Sequence, residues 1–412
     1  MPSSRKRLIN ADPIEEGIDY AERVVARKIP AGKFVRLAAE RFLEDRRKAK
    51  AGQGPWIFDP DRALAPIEIC QQLPNIKGPL ADQPIRLMPW QLCWTANLFG
   101  FVERETGWRR FRQASIWVPR GNGKSTWLAP LAVNCAFCER EGGAEAYAAA
   151  VTRDQSKIVW STAHEMLRRV PELRHYLGVE QSAHSIFQPR TASSFLPLSS
   201  DAKSLDGLNV HFACLDEVGS HRTARVYDII LTALGKRLQP LLISISTATA
   251  NTTGIGKQLW DLSVKVLTGA LEDERFFAVL YTADEGDNPF AEATLAKANP
   301  SWGLTVVPEQ VRMIARQARN NPAQEAVYAP AMRALSRPSA LSGTCPNRIP
   351  SATDGSSRKP RPVGPSSTAV TRRSRLALIL GNPRWPSLRR HHGTLRIGGF
   401  LSEPFSASSL GQ

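Results

Sequence analysis

The segment Gly121-Asn-Gly-Lys-Ser125 follows the apolar run ASIWV and precedes TWLAPLAVNCAFC, an apolar stretch of helical length. A strand that passes through a glycine-rich turn and opens a helix is half of a βα unit. Such units bury their strands in parallel sheets, so this one junction narrows the fold more than any bulk property of the chain. The surrounding pattern agrees. Ser115–Val118, Ala146–Val151, Val210–Leu215 and Leu241–Ser246 are short apolar runs that read as strands. Helical stretches are expected between them near 125–138, 154–169 and 223–236. Alternation of this kind predicts the α/β class, with a mainly parallel sheet flanked by helices.

The turn has the chemistry of a phosphate cradle. Glycines at 121 and 123 let the backbone approach a ligand closely, and the helix that follows turns free N–H groups and the positive dipole end toward an anion. Lys124 would reach the β- and γ-phosphates of a nucleotide, and the Ser125 hydroxyl would ligate Mg²⁺. Arg120, Gly121, Asn122, Gly123, Lys124, Ser125 and Thr126 are the expected ATP-binding stretch. The first glycine of G-x-x-x-x-G-K-[ST] is replaced by Val118. Arg120 has two readings: a surface ion pair, or positive charge supplied in cis to the transferring γ-phosphate.

A partner motif lies roughly ninety residues downstream. Val210-His-Phe-Ala-Cys-Leu-Asp216-Glu217 is an apolar strand ending in two acids. Asp216 is placed to hold the hydrated Mg²⁺ and Glu217 to polarise the attacking water, from a strand expected to neighbour the first in one sheet. The two motifs together predict a P-loop NTPase core using ATP and Mg²⁺. Gln91, in Pro89-Trp90-Gln91, carries an amide able to read the N6 and N7 edge of adenine. Trp90 or Trp94 could pack near the base, although buried core is the simpler reading of either. Thr247-Ala-Thr-Ala-Asn251 follows the Leu241–Ser246 strand, where it would either sense the γ-phosphate or cap the next helix.

Outside this core the sequence changes character twice. Residues 15–50 read as two helical stretches, the second with an apolar stripe through Phe34, Leu37, Ala38 and Phe42. An amphipathic helix packed on a domain is the simpler reading of that stripe, and a DNA-contacting arm the other. The Pro- and Gly-rich segment 51–80 reads as a connection. After about 330 the periodicity is lost and Ser, Pro and Arg dominate. The formal charge is +16, but thirteen bases against two acids, Asp354 and Glu403, fall beyond residue 330. The remainder carries only +5, so the excess says little about the ordered part. The expected organisation is a helical N-terminal region and linker over 1–80, a P-loop ATPase core over 81–285, a helical lid or linker over 286–335, and a largely disordered basic tail over 336–412. Cys135 and Cys138 have half the spacing of a zinc site without a second pair, and read as buried thiols. No apolar run is long enough for a membrane span, and no signal-peptide core follows the N-terminus.

On PWQ at 89–91, WVPRGNGKS at 117–125, SSDAKSLDGLNVHFACLDE at 199–217 and ISTATANTTG at 245–254, the chain resembles the large terminase subunit of tailed bacteriophages. The absent first glycine and the arginine inside the loop are both similar to that family's variant phosphate loop. The resemblance spans roughly residues 20 to 330. It implies a DNA-packaging ATPase that moves duplex DNA into a procapsid, with Ser246, Thr247 and Ala248 as a coupling motif. It also implies a terminase small subunit, a capsid portal and a homo-oligomeric ring as partners, in the cytoplasm of a bacterial host. The family's C-terminal nuclease needs clustered acids, and Asp354 and Glu403 do not supply them. The tail reads like a wrong-frame translation more than a natural DNA-gripping extension, so no nuclease activity is expected of this chain. A helicase-type translocase and an inactive DNA-binding remnant are the competing readings.

Overall fold

The computed structural model describes residues 12–139, 141–150, 153–199, 207–221, 223–248 and 253–321, and two short strands near the C-terminus. It begins with α1 (Pro13–Val25) and α2 (Lys33–Lys50). Asp12 caps α1 by accepting from the Ile14 amide, and Pro13 presets the first turn. The apolar stripe of α2 is buried at Val35, Ala38, Ala39 and Phe42. Two of its basic residues also turn inward: Arg41 donates to the carbonyls of Phe276 and Asp273, and Arg46 lies over the rings of Phe42 and Phe58. This helix is therefore packed on the domain, as the simpler reading held.

Residues 51–80 are more than a connection. They contain β1 (Trp56–Phe58) and a full helix, α3 (Pro60–Gln72), capped by Asp59. Pro66 lies inside α3 and hid it from a reading of composition. Next come α4 (Pro89–Gly100), β2 (Phe101–Glu103), which pairs with β1, and β3 (Gln113–Trp117). The glycine-rich turn leads into α5 (Lys124–Val133), continued by a wider π-type turn over Asn134–Cys138. Cys135 is buried there and Cys138 half-buried, and burial pushes the Cys138 thiol up to about 12.

The chain continues through β4 (Glu145–Ala150), α6 (Arg153–Arg169), α7 (Pro171–Leu177), β5 (Glu180–Gln181), β6 (Ile186–Gln188) and β7 (Ser193–Ser199). Then follow β8 (Val210–Asp216), α8 (Arg225–Ala233), β9 (Leu241–Ser246), α9 (Ile255–Leu267) and β10 (Phe276–Leu280). Eight of these strands form one sheet in the order β10-β3-β9-β8-β4-β7-β6-β5. The first six run parallel, and β6 and β5 finish the edge antiparallel. Strands β8 and β9 are buried at every residue, as befits central strands of a parallel sheet covered on both faces. The four strands expected from sequence are all present, but the acid-ended strand does not neighbour the glycine-turn strand. β9 lies between them.

One continuous apolar core joins α1–α4 to the sheet and its helices. The last two described helices, α10 (Glu292–Ala298) and α11 (Pro308–Asn320), enclose a separate small core around Leu295, Ala298 and Ala315. No described helix is long and apolar enough to cross a membrane. Within residues 348–412, β11 (Arg389–His391) pairs antiparallel with β12 (Thr394–Arg396). The rest of the expected tail, with Asp354 and Glu403, lies outside the described residues.

Candidate active site

Because β3, β9 and β8 are parallel and adjacent, their C-terminal ends open on one edge of the sheet. Ligands bind beyond this edge in open α/β sheets. β3 delivers the glycine-rich turn. Gly121 and Gly123 have φ of +84° and +76°, conformations that cost a residue with a Cβ about 1–2 kcal/mol. Gly123 is also the N-cap of α5, so the first amides of that helix face outward over the sheet edge.

Lys124 turns inward from the first turn of α5 and is 9% exposed. Its Nζ donates to Thr247 Oγ1 at 2.7 Å and to the Val118 carbonyl at 3.4 Å, and pairs with Glu217 Oε1 at 3.1 Å. Glu217 stands just past β8 in the left-handed region, with φ 49° and ψ 44°. A non-glycine residue is rare there, and such backbone strain concentrates at functional sites. Three contacts hold it. Its amide donates to Asp216 Oδ1 at 2.9 Å, and its Oε2 accepts from Ser246 Oγ and the Thr247 amide, each at 3.3 Å. Ser246 Oγ also accepts from the Gly219 amide at 3.0 Å. The interposed strand thus wires the two motifs together through Ser246 and Thr247. Ala248 is buried beside them, whereas Thr249 and Asn251 lie outside the described residues.

Asp216 ends β8 almost buried. Burial, reinforced by the neighbouring Glu217 charge, raises its pKa, and the Lys124 ammonium offsets part of that. His221 comes back against the same strand end, its Nε2 3.4 Å from the Asp216 carbonyl oxygen, and burial lowers its pKa. Ser125 and Thr126 are half-buried in the first turn of α5, and Arg120 is exposed on the rim of the turn.

Gln91 reaches this region from α4. Its Oε1 accepts from the Met88 amide, capping α4, and its Nε2 lies 3.6 Å from the point where a Cβ on Gly123 would stand. Trp90 packs edge-on against Trp127 of α5 and Tyr281, which locks α4 to the helix of the phosphate turn. Trp90 and Trp94 are both fully buried, so they are core. Residues that the sequence reading did not single out also touch the turn. The Asn122 amide group donates to Asn299 Oδ1 and accepts from the Ser301 amide, each at 3.0 Å, and Thr305 Oγ1 donates to the Gly121 carbonyl at 2.8 Å. These partners lie about 180 residues away, and no local pattern announces a contact of that range.

The donor set suits a Mg²⁺-bound nucleoside triphosphate. A buried ammonium already meets a carboxylate oxygen, so the pocket accepts an anion at that point. Two left-handed glycines hold the turn open, and a buried carboxylate, whose charge burial disfavours, stands at the same edge to meet a cation. Among the described residues, no group of three or more His, Cys, Asp or Glu forms a metal cluster.

The model of the terminase large subunit ATPase domain matches residues 89–263. Protein YmfN of Escherichia coli (strain K12) is 35% identical over 116 residues, which make up 28% of this chain and 26% of YmfN. The terminase large subunit of Enterobacteria phage HK97 is 26% identical over 271 residues, 65% of this chain and 51% of that protein. The crystal structure of the HK97 bacteriophage large terminase superposes with a TM-score of 0.57 at 24% identity, over 66% of this chain and 55% of that one. This chain therefore spans about a quarter of YmfN and about half of the HK97 subunit. The structural likeness speaks for the fold, while the family match covers both motifs, from Gln91 past Glu217 to Thr247. Over residues 89–263 this chain is similar to the ATPase region of a phage terminase large subunit.

Proposed function

We propose that this chain is the ATP-hydrolysing motor subunit of a DNA-packaging terminase, using the energy of ATP to drive double-stranded DNA into a procapsid. The observation that carries the reading is the Lys124–Thr247–Glu217 network at the sheet edge. It brings the phosphate turn, the acid pair and the β9 end into direct contact, the minimum a hydrolytic motor needs to link chemistry to motion. In this reading Gln91 and Arg120–Thr126 hold ATP, with Arg120 adding charge from the rim. Ser125 and Asp216 hold Mg²⁺, which when bound draws charge off the phosphates. Glu217 takes the proton of the attacking water, and Ser246, Thr247 and Ala248 couple its state to β9. The organisation proposed is a helical N-terminal region, a core over 81–285 and a helical lid or linker over 286–335, of which residues 322–335 lie outside the described residues. A terminase small subunit, a capsid portal and further copies of the chain in a ring complete the assembly within the bacterial host. Nuclease activity is not part of the proposal.

The test is ATP hydrolysis with and without duplex DNA, alongside a strand-displacement assay. Hydrolysis stimulated by duplex DNA, abolished in Lys124→Ala and unaccompanied by strand separation, is the expected result. ATP-driven unwinding would replace the reading with a helicase-type translocase. Nucleotide binding without turnover, even with DNA and a portal present, would leave an inactive remnant.

A further inference from the structure

The glycine-rich turn is held from outside as well as from the sheet. Asn122, between its two glycines, is fully buried, and every polar group of its side chain is engaged. Its Nδ2 donates to the Pro119 and Arg120 carbonyls and to Asn299 Oδ1, and its Oδ1 accepts from the Ser301 amide. Asn299 is itself fixed, because its own Nδ2 donates to the Leu295 carbonyl at 2.9 Å, in the last turn of α10. Ser301 accepts from the indole of Trp90 at 3.0 Å. The side chain of Asn122 is thus closed into the connection between α10 and α11.

The third contact differs in kind. Thr305, exposed on that same connection, donates its hydroxyl to the Gly121 carbonyl at 2.8 Å. In a trans peptide the C=O and the following N–H point in opposite directions, and no described peptide bond is cis. Fixing the Gly121 carbonyl toward Thr305 therefore turns the Asn122 N–H away from the α10–α11 connection. Gly121 is the position where this matters. As a glycine with φ +84° it has the freedom to let the 121–122 peptide flip, and nothing in its own side chain prevents it.

We infer that Thr305, supported by Asn299 and Ser301, is a positioning residue of the phosphate loop: its hydroxyl fixes the 121–122 peptide so that the Asn122 N–H is preset for a phosphate oxygen. The inference deepens the proposed function and rests on the phosphate-loop reading. A preset donor lowers the ordering cost of binding and leaves the chemical step alone, so the effect belongs in nucleotide affinity. One neutral hydrogen bond corresponds to about two- to tenfold in an equilibrium.

The experiment compares wild type with Thr305→Val, which matches the shape without the hydroxyl, and Thr305→Ser, which restores it. Thr305 is exposed, so neither change opens a cavity. Hydrogen exchange of the 120–124 amides is read in the nucleotide-free full chain, and KM and kcat for ATP are read by phosphate release. Thr305→Val is expected to exchange about two- to tenfold faster in this segment and to raise KM by a similar factor. Its kcat should be unchanged, and Thr305→Ser should behave as wild type. Wild-type exchange and KM in Thr305→Val, or equal impairment in both variants, would overturn the inference. A wild-type chain that does not bind ATP would count against the proposed function, while the exchange comparison still decides whether Thr305 fixes the loop.

Discussion

Lys124 Nζ lies 3.1 Å from Glu217 Oε1, so the residue expected to grip phosphate and the one expected to activate water are each other's counter-ion. Glu217 is held in place independently of Lys124, by Ser246 and by the Thr247 amide. Glu217→Gln keeps an oxygen for those two donors while removing both the base and the competing charge. It should therefore lower turnover by about 10²–10⁴-fold while binding ATP at least as tightly as wild type. Lys124→Ala should lose binding as well as turnover. Fluorescent-nucleotide titration beside phosphate-release kinetics separates the two outcomes, and wild-type turnover in Glu217→Gln would remove the residue from the mechanism.

Gln91 has one occupied end and one that faces the phosphate turn. The carbonyl end caps α4 through the Met88 amide at 3.0 Å, whereas Nε2 points to the neighbourhood of Gly123. The substitution Gln91→Glu keeps the capping acceptor and removes the amide donor. This variant should bind ATP about tenfold or more weakly, since an unmade hydrogen bond at a built site is costly. Gln91→Ala should lose stability by about 1 kcal/mol in addition. Equal ATP affinity in Gln91→Glu and wild type would reduce Gln91 to a helix cap.

What could be read from sequence was whatever repeats over short spans. The strands at 115–118, 146–151, 210–215 and 241–246 were legible because unbroken apolar runs do not lie on a surface. The phosphate turn and the acid pair were legible because their chemistry forces residue types into fixed spacing. Strand order was not, since apolar runs of equal quality carry no label for their neighbours, and β9 came between the two motif strands unannounced. Helix α3 was masked by its proline and by a composition typical of linkers. Its evidence was the Asp59-Pro60 start, where a capping acid precedes a proline suited to the first turn. Thr305 and Asn299 could not have been found at all from local pattern, because hydroxyls and amides gain meaning only from what the fold sets beside them.

A buried charge cluster at the far end of β8 bears on stability, not catalysis. Glu139, just after the π-type turn, accepts from the guanidinium of Arg109 and meets His211 Nε2 at 2.8 Å. All three side chains are buried. Burial alone would raise the Glu139 pKa, but Arg109 first and His211 next more than offset it, leaving it at about 2 against an ordinary 4.5. A carboxyl depressed in the folded state contributes stability that is full above the unfolded value and is lost as pH falls through the folded one. Glu139 should thus feed acid unfolding between about pH 4.5 and 2. Glu139→Gln should cost about 3–5 kcal/mol at neutral pH, because it strands the Arg109 charge in the interior. It should also flatten the pH dependence of stability in that acid window. Urea unfolding at several pH values measures both, and an unchanged slope in the variant would refute the assignment.

Gly256, in the first turn of α9, sets the position of the chain just beyond Glu217. A Cβ built there would stand 2.6 Å from Gly219 Cα and 3.2 Å from the Val218 carbonyl oxygen, distances that backbone cannot tolerate without moving. The turn Val218–Ser220 would have to retreat, and with it the Gly219 amide that donates to Ser246 Oγ at 3.0 Å. Glu217 is the adjacent residue and shares that same hydroxyl, so the displacement passes directly to the carboxylate. Overpacking of this kind costs about 1–3 kcal/mol. Gly256→Ala is therefore expected to lower the melting temperature by several degrees and kcat by about tenfold, with ATP affinity little changed because the phosphate turn is held from β3 and the α10–α11 connection. Gly235→Ala is the control: a Cβ there meets nothing within 4 Å, and turnover should match wild type. If both variants lose activity equally, or if Gly256→Ala loses affinity and keeps kcat, the packing of α9 does not govern Glu217.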